Sequence, residues 1–142
     1  MGINTYGTFE HIIDAKGRLF IPSRLRDDLG SVFYVTLSTQ ACLWAFSTDA
    51  WERIEEKVKA MPLSKQIKMR PLFSHATKCE RDGQGRILLT QVQRDHAALK
   101  KSVTVVGAGE RVEIWDSETW AAIDAVETTP ENMEQVFTEL DF

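Results

Sequence analysis

At 142 residues, 43% hydrophobic and 27% charged, the chain has the composition of a folded soluble protein. It offers no apolar run near the roughly 20 residues of a membrane span and no leading basic-then-apolar signal segment, so a cytoplasmic protein without membrane contact is expected. Its net charge of -4 disfavours a polyanionic partner only until the distribution is read: residues 110–142 hold ten acidic residues and one basic (Arg111), whereas residues 1–109 carry 16 Lys and Arg against 11 Asp and Glu, an acidic tail masking a basic body.

In chain order, an extended stretch is predicted over 6–13, then a turn, Asp14-Ala15-Lys16-Gly17-Arg18, and an apolar run, Leu19-Phe20-Ile21. A short helix over 22–29 ends at Gly30, and β-rich runs follow at 32–37 and 42–46. The next helix, 49–60, has Thr48 as its cap, Trp51, Ile54 and Val58 on one face, and Pro62 as its stop. Residues 64–73 read as a basic amphipathic helix (Lys65, Lys68, Arg70) that Pro71 should end or kink. The pattern then restarts: extended 74–81, the turn Asp82-Gly83-Gln84-Gly85-Arg86, the run Ile87-Leu88-Leu89, a helix over 90–99, strands at 103–106 and 112–115, and a helix with Trp120 and Ile123. Thr129-Pro130-Glu131 opens a last helix whose Met133, Val136, Phe137 and Leu140 should pack on the body, the alternative being a frayed tail.

The order strand, turn, strand, helix, strand, strand, helix thus occurs twice. A unit of about 60 residues buries too little surface to stand comfortably alone, so the two should share a core. Both turns read Asp-x-x-Gly-Arg. Asp14 and Asp82 are there to bond backbone amides, and Gly17 and Gly85 to take positive φ. A hairpin this tight projects Lys16 and Arg18, or Gln84 and Arg86, from its tip or the strand beyond. The plainer alternative is that each Asp simply pairs with its Arg.

Other chemistry is sparse. Cys42 and Cys79 read as buried free thiols, and His11, His75 and His96 have no zinc-ligand spacing, so no metal or cofactor is expected. Without a phosphate loop or a nucleophile elbow, and with an Arg four residues after each Asp to hold its pKa down, the chain does not read as an enzyme. Trp44/Trp51 and Trp115/Trp120 fit core or subunit packing better than base stacking. No small-molecule pocket is inferable.

The repeat resembles the MraZ family, whose halves are SpoVT-AbrB-type units of the swapped-hairpin barrel class. The likeness rests on Tyr6-Gly7, His11, Ile13 to Leu19, Ile21-Pro22, Trp51-Glu52, Ile54 to Lys57, Lys59-Ala60, Pro62-Leu63, Phe73-Ser74, Ala76-Thr77, Cys79-Glu80 and Asp82. It implies an α+β, β-rich fold in which two pseudo-repeated swapped-hairpin AbrB-type β-barrel halves share one core. The units would be 6–52 and 74–120, with a helical linker at 53–73 and an acidic C-terminal helix or tail at 121–142. It further implies a nucleoid-associated, sequence-specific repressor of the division and cell-wall gene cluster, including its own promoter. Such a protein binds short direct repeats of double-stranded promoter DNA as a homo-oligomeric ring, an octamer or dodecamer. Arg18 and Arg86 would reach guanine edges or phosphates, while Lys16, Arg24, Arg26 and Gln84 would contact or position the duplex. Because Gln84 and Thr90 replace Lys16 and Pro22 in the second copy, the first turn carries more weight. Arg24 and Arg26 have a competing reading as a solvated helix face beside Asp27 and Asp28. The alternative function is an antitoxin-like DNA-binding module with a protein partner on its C-terminal helix.

Overall fold

A computed structural model describes residues 3–142. The first half runs β1 (Thr8–Ile12), β2 (Arg18–Phe20), α1 (Ser23–Leu29), β3 (Val32–Leu37), β4 (Leu43–Ser47) and α2 (Thr48–Lys59). Two short helices, α3 (Leu63–Lys68) and α4 (Arg70–Ser74), lead to the second half: β5 (Thr77–Glu80), β6 (Arg86–Leu88), α5 (Gln91–His96), β7 (Ser102–Ala108), β8 (Arg111–Asp116) and α6 (Ser117–Glu127). Helix α7 (Pro130–Glu139) closes the chain. The architecture is α+β and strand-rich, with the element order of the sequence repeat.

Strand pairing interleaves the halves. One antiparallel sheet has the order β1-β7-β8-β4-β3-β5, and a two-stranded ribbon joins β2 to β6. Each half therefore lends its first strand to the other: β1 lies on β7 with Phe9 opposite Val105, and β5 lies on β3 with Cys79 opposite Phe33. The centre of the sheet is the β4·β8 pair, Leu43 opposite Ile114 and Ala45 opposite Val112. This corrects one expectation. The strands flanking each Asp-x-x-Gly turn do not pair as a hairpin, because β1 and β5 peel away into the large sheet while β2 and β6 meet each other.

The interleaving follows from burial. Alternate strand residues face one core that draws on both halves, including Leu19, Ile21, Leu25, Phe33 and Val35 from the first and Ile87, Leu89, Val103, Val105 and Ile114 from the second. Three-residue strands such as β2 and β6 cannot close a core alone. The tryptophans sit in or against the packed interior: Trp115 and Trp51 are buried, Trp51 stacks on Tyr34 at 5.2 Å, and Arg111 covers the half-buried Trp44 at 4.3 Å. Cys42 and Cys79 are free and buried, with burial raising their pKa values to about 11 and about 12.

Three local expectations change. Helix α2 is capped by Ser47, whose Oγ accepts from the Ala50 amide at 3.3 Å, while Thr48 Oγ1 donates to the Val32 carbonyl. The linker is two helices broken at Met69, and Pro71 lies in the first turn of the second, where its missing N–H costs nothing. Helix α7 starts as expected, with Thr129 Oγ1 accepting from the Asn132 amide. It does not pack on the body: none of its residues is buried, and Met133, Val136, Phe137 and Leu140 remain exposed.

Candidate nucleic-acid interface

The two turns are built alike. Asp14 Oδ1 accepts from the amides of Lys16 (3.0 Å) and Arg18 (2.8 Å), and Oδ2 accepts from Arg18 Nε at 2.6 Å. Asp82 Oδ1 accepts from the amides of Gln84 and Arg86, both at 2.9 Å, and Oδ2 from Arg86 Nε at 3.0 Å. One carboxylate in each turn thus binds the loop backbone and aims an arginine, so the two readings of the Asp residues, turn former and Arg partner, hold together. Gly17 and Gly85 close the turns at φ +87° and +80°.

The turns are locked across the halves. The Leu89 amide donates to the Gly17 carbonyl at 2.8 Å, and the Ile21 amide donates to the Gly85 carbonyl at 3.1 Å. Behind Gly17 lies the guanidinium of Arg94 from α5, and behind Gly85 that of Arg26 from α1. An added Cβ at Gly17 would stand 2.7 Å from the Leu89 carbonyl oxygen. Gly17 is therefore needed for close approach as well as for φ, whereas at Gly85, where a Cβ would meet the movable Arg26 guanidinium, the positive φ is the constraint.

Between the turns, the β2·β6 ribbon pairs Arg18 with Leu88 and Phe20 with Arg86. Leu19 and Ile87 point into the core, so Arg18, Phe20, Arg86 and Leu88 share the outer face. Lys16 and Gln84 are exposed at the turns, and Arg24 is exposed on α1. Arg26 is placed differently: its guanidinium lies 5.0 Å over the Phe20 ring and its Nε is buried without a partner, so it buttresses the second turn instead of lying on a solvated face. The halves also differ in their arginines. Arg86 Nη1 reaches Asp14 Oδ2 at 3.8 Å as well as holding Asp82, whereas Arg18 is tied to Asp14 alone, through Nε. Both terminal amino groups of Arg18 are left outside its ion pair.

Arg94 was not singled out from the sequence, although it stands at the same offset from Arg26 as Asp82 from Asp14. The outward position of Leu88 is not legible in the sequence, because a run of apolar residues hides which member faces outward.

Both carboxyls are held below the ordinary value of 3.8, first by the backbone amide of Arg18 on Asp14 and of Arg86 on Asp82. A depressed folded value means that their contribution to the turns is complete above the ordinary value and is lost as pH falls through the folded one. Protection of the Lys16 and Gln84 amides from exchange, taken relative to the intrinsic rate at each pH, is therefore expected to fall in the folded protein below about pH 4, and Asp14→Asn with Asp82→Asn should remove that acid response. A response that persists in the double variant would assign it elsewhere.

Among the described residues, no three His, Cys, Asp or Glu side chains gather where a metal ion could be held, and no helix is long and apolar enough to cross a membrane.

The family model described as "MraZ protein, putative antitoxin-like" matches the chain twice, over residues 5–70 and 72–140. The chain belongs to the MraZ family. Each MraZ match contains one Asp-x-x-Gly-Arg turn, so the family repeat and the internal repeat coincide. A protein of Heliobacterium modesticaldum named transcriptional regulator MraZ is 48% identical over 118 residues, 81% of this chain and 82% of that one. One of the same name from Carboxydothermus hydrogenoformans is 47% identical over 117 residues, 80% and 82% of the two chains.

Proposed function

We propose that this MraZ-family protein regulates transcription by binding double-stranded promoter DNA through the β2·β6 ribbon and its two turns. It is a regulator and not an enzyme, as its curated relatives are by name. The observation that carries the reading is the ribbon itself: a carboxylate-anchored arginine in each half, set diagonally on one outer face, with Lys16 exposed at one edge. A two-stranded ribbon fits the major groove, and a guanidinium held through Nε presents two terminal donors toward guanine O6 and N7. Arg18 leads because its terminal groups are freer than those of Arg86. Lys16, Arg24 and Gln84 contact the phosphate backbone, and Arg26 acts by holding the second turn.

The finer reading is a nucleoid-associated cytoplasmic repressor of the division and cell-wall gene cluster and of its own promoter. It engages short direct repeats through many turns on a homo-oligomeric ring of eight or twelve subunits. Linked sites raise effective concentration, so weak single contacts become selective when repeats match the spacing of the turns. The test is a salt titration on promoter duplexes carrying short direct repeats beside scrambled duplexes. A steep negative slope of log K against log salt with preference for the repeats supports the reading, and flat, sequence-indifferent binding overturns it.

Assembly is supported by α7. Its exposed Met133, Val136, Phe137 and Leu140 lie among Glu131, Glu134 and Glu139, while the linker helices expose Leu63 and Ile67 beside Lys65, Lys68 and Arg70. These faces complement each other in charge and are both apolar, which suits contact between neighbouring copies. The same exposed helix favours the second reading, a protein partner bound in antitoxin fashion. Val136→Asp with Phe137→Asp is expected to shift the protein from a ring to a much smaller species in light scattering, its fold unchanged by circular dichroism. An intact ring in the double variant, with a small protein co-purifying only with wild type, would select the partner reading.

A further inference from the structure

The outer face of the ribbon holds one side chain that its polar surroundings do not explain. Leu88 is 60% exposed, lies directly across the strand pair from Arg18, and follows the Arg86 strand outward. Its counterpart in the first half, Phe20, is already engaged: it is half-buried, with the His11 ring at 5.0 Å and the Arg26 guanidinium at 5.0 Å. The two ends of the face are therefore unlike. One presents an arginine beside an engaged aromatic ring, the other an arginine beside a free aliphatic group.

We infer that Leu88 reads the methyl group of a thymine next to the base contacted by Arg18, a step that rests on the DNA-binding reading above. The chemistry leaves few other roles in a groove. A leucine makes no hydrogen bond to a base edge or a phosphate, and the apolar feature that the major groove displays is the C5-methyl of thymine. The geometry fits as well. Facing residues on antiparallel strands lie about 5 Å apart, close to the spacing of roughly 3.4 Å between successive bases on a strand. With Arg18 fixed through its Nε to Asp14, its partner on the neighbouring strand reaches an adjacent base pair. Leu88 is thus a specificity-determining contact, and the two halves of the protein read different sequences.

The test uses the full-length protein and a random-sequence duplex pool enriched on it. In the winning duplex each thymine is replaced in turn by deoxyuridine, which removes the methyl and keeps the pairing edge. Wild type is expected to lose about four-fold in affinity at one thymine per half-site, the effect of one buried methyl group. Leu88→Ala should bind the thymine and uracil duplexes alike, at the weaker level, with its assembly unchanged in light scattering. The inference is overturned if no uracil substitution weakens wild type, if Leu88→Ala remains sensitive to the methyl, or if Leu88→Ala breaks the assembly and so marks a subunit contact. Failure of the DNA reading looks different: wild type then enriches no sequence at all, and Arg18→Ala changes nothing.

Discussion

Arg18→Ala should abolish the preference for repeats while leaving the protein folded and assembled. Each lost bidentate base contact costs about 1–3 kcal/mol, or roughly 5- to 150-fold at a single site. Where several turns engage one duplex, the losses compound through avidity. Stability should change little, because the side chain is part-exposed and Asp14 keeps its bonds to the amides of residues 16 and 18, which are backbone groups. Arg86→Ala should weaken binding less, since Arg86 is shared between Asp82 and Asp14 and is less free to turn outward. Lys16→Ala should act differently again, lowering affinity for all sequences together and reducing the salt slope by about one. Fluorescence anisotropy at several salt concentrations separates the three. An assembled Arg18→Ala protein that binds like wild type would remove Arg18 from the interface.

How these residues come together was only partly legible beforehand. The repeat announces the turns, because Asp and Gly are demanded by local geometry: a carboxylate must reach amides two and four residues on, and the fourth residue must take positive φ. Local rules of this kind survive in one sequence. Strand partners do not, since nothing in residues 8–12 says that they pair with 102–106 instead of folding back on 18–20. That choice is made by the shared core, a tertiary effect. Arg26 shows the same limit. Beside Asp27 and Asp28 it looks like part of a solvated face, and only packing across the halves puts its guanidinium behind Gly85. Ser47 and Thr48 are neighbouring hydroxyls, either able to cap, and the backbone of β4 decides between them. The exposed face of α7 is ambiguous in the sequence for another reason. Apolar periodicity reports that a face seeks burial, not whether this chain or another copy provides it.

The second large effect is on stability, at a position where the repeat is broken. Leu25 in α1 is an ordinary core leucine, but its counterpart in α5 is Gln93, which is completely buried. Its Oε1 accepts from the Thr90 amide at 3.1 Å, completing a capping box, and its Nε2 donates to Thr77 Oγ1 at 2.5 Å and to the His75 carbonyl at 3.0 Å. The same amide lies 3.4 Å from the Val35 carbonyl on β3. One side chain therefore joins α5 to the entry of β5 and to a strand of the other half. Gln93→Leu makes the halves more alike and supplies a residue of similar size, so symmetry alone would favour it. Hydrogen bonding argues the reverse: the Thr90 amide and the His75 carbonyl would lose this partner, and because both bonds are only part-buried the cost is about 0.5–1.5 kcal/mol for each. A net loss of about 1–3 kcal/mol is expected, a sizeable share of the 5–15 kcal/mol typical of a domain. Urea unfolding should show it as a lower midpoint at unchanged slope. Because Arg94, the next residue, packs behind Gly17, loosening α5 should also release the first turn, and amide exchange at Lys16 should rise in this variant under conditions where the fold persists. An unchanged midpoint would mean that the polar bridge adds nothing over a leucine, and that strand pairing and the apolar core suffice to hold the two halves together.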